Sequence, residues 1–152
     1  MKQLLCLAAA LSFSIPTNLS AHCQVPCGIY DDNNVISSMH TDYVTIEKAI
    51  DQITELSKDP SANAHQLTRW IINKETHAQS IQDKVLNYFL AQRLKLPADD
   101  SEKELYAKKL ALCHEVIVVA MKCKQSTDSA NVEKLHDLLH SFEEHFGTKE
   151  EE

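Results

Sequence analysis

The chain has 152 residues, with 22 acidic side chains against 15 Lys and Arg, a net charge of −7, and 43% hydrophobic residues. That length suits one domain able to bury a core without covalent staples. The acidic balance argues against nucleic acid as a partner.

Residues 1–21 have the layout of a cleaved export leader. Lys2 is followed by an apolar run from Leu4 to Phe13, a more polar stretch around Pro16, Thr17 and Asn18, and a small residue, Ala21, at the expected cut. The apolar run is shorter than the roughly 20 residues a helix needs to cross a bilayer. Cys6 lies ahead of most of that run, too early for a lipid anchor. The expectation is a protein exported to a periplasm, the extracellular space or an organelle lumen, with no membrane attachment after cleavage. Losing Lys2 with the leader leaves 14 basic against 22 acidic residues, a net of −8.

Cleavage after Ala21 turns residues 22–30, His-Cys-Gln-Val-Pro-Cys-Gly-Ile-Tyr, into a free amino-terminal hook. The His22 amine, the backbone nitrogen of Cys23 and the Cys23 sulfur are joined through small chelate rings. Cys27 can return a second sulfur to the same centre if the chain bends. Pro26 removes a backbone donor and fixes a turn, and Gly28 permits backbone angles that other residues resist. Two nitrogens and two sulfurs make a planar donor set, with the His22 imidazole free to approach from the side. Such a set suits nickel or copper better than zinc, which prefers a tetrahedron. Tyr30 follows closely enough to place a hydroxyl beside the metal. The competing reading is a local Cys23–Cys27 disulfide, a common feature of exported proteins.

Four helices are predicted next, with Pro60 and Pro97 between segments and Gly147 as a C-cap. The first runs from about Asn33 to Ser57, with Met39, Tyr43, Ile46, Ile50 and Ile53 on one seam. Asp59-Pro60-Ser61 breaks the chain. The second runs from about Ala62 to Leu94, with Leu67, Ile71, Ala78, Ile81, Val85 and Tyr88 along one face, widened by Trp70 and Phe89. The third starts near Ser101, where Ser101-Glu102-Lys103-Glu104 fits a capping box, and ends near Lys124. The fourth spans about Asp128 to Phe146 on a seam of Val132, Leu135, Leu139, Phe142 and Phe146. No strand-like alternation competes, and short connections favour antiparallel neighbours. The predicted fold is therefore all-α, an up-down-up-down four-helix bundle over residues 31–152, its acidic end Glu150-Glu151-Glu152 fraying in solvent.

The remaining chemistry-bearing side chains read as scaffold. Cys113 and Cys123, ten residues apart on one helix, are too distant to bridge and suit buried apolar positions. His136 and His140 have the i, i+4 spacing of a metal pair, but with His145 they sit among glutamates on what reads as a solvated face. His40, His65 and His114 have no partner visible in the sequence.

His22, Cys23, Pro26, Cys27, Gly28 and Tyr30 occupy all six fixed positions of the His-Cys-x-x-Pro-Cys-Gly-x-Tyr motif, and the chain resembles the nickel-containing superoxide dismutases. The resemblance implies one nickel per subunit held by His22, Cys23 and Cys27, with His22 and Tyr30 serving catalysis. It also implies superoxide as substrate, a Ni(II)/Ni(III) cycle, dioxygen and hydrogen peroxide as products, and a homohexamer in which neighbours bury the hooks. Gln24 and Val25 would line the entry for a small anion through their backbone groups. In the family a Glu early in the first helix and an Arg on a neighbouring element can hold the imidazole. An ungapped count puts Ser38 at the Glu position, and Lys74-Glu75-Thr76-His77-Ala78 resembles the Arg's context with His77 in its place, so neither role carries over. Two other functions fit the residues: an exported bundle that carries copper or nickel without turnover, and a structural or redox-sensing protein whose hook is a disulfide loop.

Overall fold

The computed structural model describes residues 31–147. The leader at 1–21, the hook at 22–30 and the acidic tail lie outside the described residues. Four long helices, α1 (Asp32–Leu56), α2 (Pro60–Lys84), α3 (Lys103–Gln125) and α4 (Ser129–Phe146), account for most of the described chain, and no strand occurs among these residues. Each helix packs on the one before it, and α4 closes the ring against α1, the expected up-down-up-down order. None of these helices is long and apolar enough to cross a membrane.

Aspartates start the elements. The side chains of Asp31, Asp59 and Asp128 accept from the backbone N–H of Asn33, Ala62 and Ala130, satisfying donors that the first helical turn leaves free. Pro60 sits in the first turn of α2, where a missing N–H costs nothing, so the helix starts at the proline rather than at Ala62. The capping box expected at Ser101 does not form. Asp99 instead accepts from both the N–H and the hydroxyl of Ser101, opening a short 3-10 turn (Asp100–Glu102), and Glu102 reaches back to the N–H of Ala98. The local acid–x–x–acid pattern simply begins two residues earlier. At the end of α4, Gly147 keeps an extended backbone (φ −62°, ψ 141°) while its N–H bonds Glu143 O at 2.7 Å. A Cβ there would lie 2.5 Å from that oxygen, so glycine is required by close approach and not by a left-handed backbone.

The core is continuous along the axis. Met39, Ile46, Ile81, Val85, Val116, Leu135 and Leu139 are fully buried in it, as are Cys113 and Cys123. At one end Phe89 meets Phe142 edge-on at 4.6 Å and Phe146 at 5.1 Å, geometries that favour aromatic pairs beyond the area they bury.

Two parts of α2 differ from the expected single amphipathic helix. Its C-terminal continuation, Val85–Arg93, is a π-helix closed by the N–H of Leu94 on Phe89 O. The wider turn carries the Arg93 guanidinium over the Tyr88 ring, 4.8 Å from its centroid. At the other end no residue from Pro60 to Asn73 is buried. Leu67 and Trp70 are half-buried, whereas Ile71 and Ile72 are 41% and 59% exposed, so Ile71 is not a core position. The reason is the unequal reach of the helices. Lys74, itself buried, donates to Cys123 O (2.6 Å), Lys124 O and Ser126 O (3.2 Å), which marks where α3 ends. The fourteen residues before Lys74 extend about 20 Å past that level at 1.5 Å per residue.

Candidate active site

The hook residues His22, Cys23, Cys27 and Tyr30 lie outside the described residues, so the structure describes the platform that follows them in the chain. That platform starts immediately after Tyr30. Asp31 caps α1, and Asp32 is tied to the π-helix that continues α2. Tyr88 donates its hydroxyl hydrogen to Asp32 Oδ1 at 2.6 Å, and Arg93 Nε reaches the same oxygen at 2.6 Å. Arg93 Nη2 donates in turn to the Tyr88 oxygen at 2.6 Å. Burial and the bond to Asp32 push the Tyr88 hydroxyl above its ordinary pKa, with Arg93 opposing them. Charge-assisted bonds of this kind contribute about 1.5–3 kcal/mol each. The π-helix supplies both partners, so its irregular turn fixes the start of α1.

A second network lies farther along α1. Asp42, buried in the α1–α2 interface, takes His77 Nδ1 on one oxygen at 2.7 Å and Lys84 Nζ on the other at 2.5 Å. Both positions singled out by family resemblance are thereby located. Ser38 turns its hydroxyl back onto Val35 O of its own helix at 2.7 Å, and His77 faces Asp42. Sequence reasoning missed Asp42. Its signal was an acid standing between Met39 and Ile46 on the apolar seam, where an unpaired charge would be costly.

Alongside both networks runs a groove of about 900 Å³, which extends from Asn34, Val35 and Tyr88 past Ser38 and Lys84 to Glu75 and Lys124. It falls within the size range of small-molecule sites and starts within one turn of the platform.

The other candidates divide. Cys113 and Cys123 are buried free thiols, as expected, and burial pushes each up to about 11, which keeps them protonated and unreactive. His65 and His114 are exposed. His145 donates from Nδ1 to Ser141 O on its own helix at 2.8 Å. His136 and His140 do meet, Nε2 to Nε2 at 3.0 Å, and His40 of α1 stands beside them, its ring 5.2 Å from that of His140. Burial lowers the His40 pKa, opposed by Glu143 and reinforced by the two other imidazoles.

No curated protein and no solved structure gives a match. A family model does: that of nickel-containing superoxide dismutase, over residues 17–149. The matched span takes in the hook motif, the platform and all four helices. The chain therefore belongs to the nickel-containing superoxide dismutase family, enzymes with nickel as cofactor and superoxide as substrate.

Proposed function

We propose that the mature enzyme begins at His22 and holds one nickel per chain through the amine and imidazole of His22, the backbone nitrogen and sulfur of Cys23, and the sulfur of Cys27. The observation that carries this reading is that the family match spans residues 17–149 and so includes the complete hook motif together with the bundle. The donor chemistry supports it, because two thiolates and imidazole are ligands that nickel accepts.

When bound between these residues, nickel would supply the one-electron exchange of a Ni(II)/Ni(III) couple that superoxide dismutation needs. The rest falls to the chain. The thiolates of Cys23 and Cys27, an anionic Cys23 amide and the His22 imidazole would hold the metal and would donate enough charge to make its oxidised state accessible. The Tyr30 hydroxyl orients the small anion by hydrogen bonding, and the backbone of Gln24 and Val25 lines its approach. Two superoxide ions and two protons yield one dioxygen and one hydrogen peroxide. The Asp32–Tyr88–Arg93 tie holds the root of the hook, which reduces the freedom lost when the hook closes on the metal.

The same reading carries removal of residues 1–21 on export to a periplasm, the extracellular space or an organelle lumen, and assembly as a homohexamer that buries the hooks. Exposed apolar side chains support an assembly, notably Leu96 (81% exposed) and Leu105 (54%) in and after the connection that follows Arg93. The test is to isolate the mature chain, sequence its amino terminus, weigh the assembly by light scattering and assay metal and superoxide removal. A terminus at His22, about one nickel per chain and a six-chain mass are expected. An active, nickel-loaded protein starting elsewhere would overturn the reading.

A further inference from the structure

On the edge shared by α1 and α4, three imidazoles and a carboxylate converge that the proposed nickel chemistry does not use. His40 comes from α1; His136, His140 and Glu143 come from α4. The Nε2 atom of His40 is shielded from solvent and has no hydrogen-bond partner. Glu143 Oε2 lies 3.7 Å from it and 3.8 Å from His140 Nδ1. These separations are too long for hydrogen bonds, so the donors surround a space rather than satisfy one another. One donor atom from each of His40, His140 and Glu143 lies within 4.8 Å of the other two.

We infer that His40, His140 and Glu143 form a second metal site, which takes a zinc-class divalent cation. Zinc binds nitrogen and carboxylate oxygen at about 2.0–2.2 Å, which sets the donors of a tetrahedral site about 3.3–3.5 Å apart. The two carboxylate separations, 3.7 and 3.8 Å, lie within a few tenths of an ångström of that value, and the two imidazole donors, within 4.8 Å of each other, close to it by side-chain rotation, with the fourth position open to water. Two neutral imidazoles and one carboxylate are borderline donors, unlike the soft thiolates of the hook, so the two sites prefer different metals. The surroundings complete the arrangement. With Nδ1 of His140 on the metal, its proton resides on Nε2, and that N–H points at His136 Nε2, 3.0 Å away. A ligating imidazole that donates its other N–H to a fixed acceptor is held in ring orientation and tautomer. Because the ligands come from the first and last helices, the bound cation clips the bundle shut and stabilises it in proportion to its occupancy.

The site is tested on the full mature protein with nickel already in the hook. Zinc is titrated in by calorimetry, bound metals are counted after gel filtration, and thermal midpoints are recorded with and without zinc. The expected result is one zinc per chain beyond the nickel and a midpoint raised by zinc. His140→Gln and Glu143→Gln alter exposed side chains and leave the core untouched; each should weaken zinc binding by about tenfold or more and remove the rise in midpoint. Superoxide removal should not change in either variant. Failure to bind zinc beyond the nickel, or zinc that enters only by displacing nickel, would overturn the site. Zinc lost in His136→Gln but kept in Glu143→Gln would place the ion between His136 and His140 and overturn this ligand set.

Discussion

The hook and the bundle divide the protein's tasks. Residues 22–30 carry four of the nine side chains from His22 to Tyr30 as metal or anion contacts in the proposed site, yet none of the seam positions that hold the helices together. Residues 31–147 bury the core, and their two free thiols are sealed inside it and held protonated. Where the bundle begins, right after the hook, Asp32 is bonded to Tyr88 and Arg93. The division teaches that chemistry and stability should fail separately here: changes in the hook should remove activity from a folded protein, and changes in the bundle should unfold a protein whose metal chemistry is intact.

The largest effect comes from the sulfurs. Cys23→Ser and Cys27→Ser should each abolish superoxide removal while far-ultraviolet circular dichroism stays unchanged; unfolding of either would erase the division. Next is His22→Ala, which keeps the amine, the Cys23 nitrogen and both sulfurs. Nickel content should stay near normal while turnover, followed by pulse radiolysis, falls strongly, and full turnover would show that the imidazole plays no part.

On the bundle side, Asp42→Ala leaves His77 and Lys84 without the carboxylate they share. Because Lys84 and His77 keep some access to water, loss of the shared acceptor costs about 1–3 kcal/mol, so urea unfolding should shift by that order while turnover per bound nickel is retained. A drop in turnover per nickel with stability unchanged would instead assign Asp42 to the active site. The smallest effect is Tyr30→Phe, which should retain nickel and change only the rate or the inhibition by small anions; nickel loss would make Tyr30 a structural anchor.

Legibility followed the same line. The family could be read because the motif's residues are contiguous, so a local pattern was enough to point to it. The helices could be read because Asp59, Pro60, Asp128 and Gly147 punctuate seams of period three and four. What escaped depends on packing between distant segments. Ile71 looks like a core residue until Lys74 is seen to mark the end of α3. The π-helix at Val85–Arg93 accompanies a bond network to Asp32, some sixty residues away in sequence, which no local pattern announces. His136 and His140 are exposed, as read, but His40 beside them could not be seen because it arrives from the other end of the chain. Asp42 was the exception, since an acid on an apolar seam is itself a signal.

The central claim is that a free amine at His22 completes the nickel ligands, and the most direct measurement adds one residue. A protein prepared with Ala21 retained keeps every side chain of the mature form and the whole bundle, and differs by one added alanine that converts the His22 amine to an amide. Both forms are loaded with nickel and compared for superoxide removal by pulse radiolysis, with dichroism as the control for folding. The account predicts full activity from the His22 terminus and none from the Ala21 terminus, at equal helicity. Equal activity from both would contradict it.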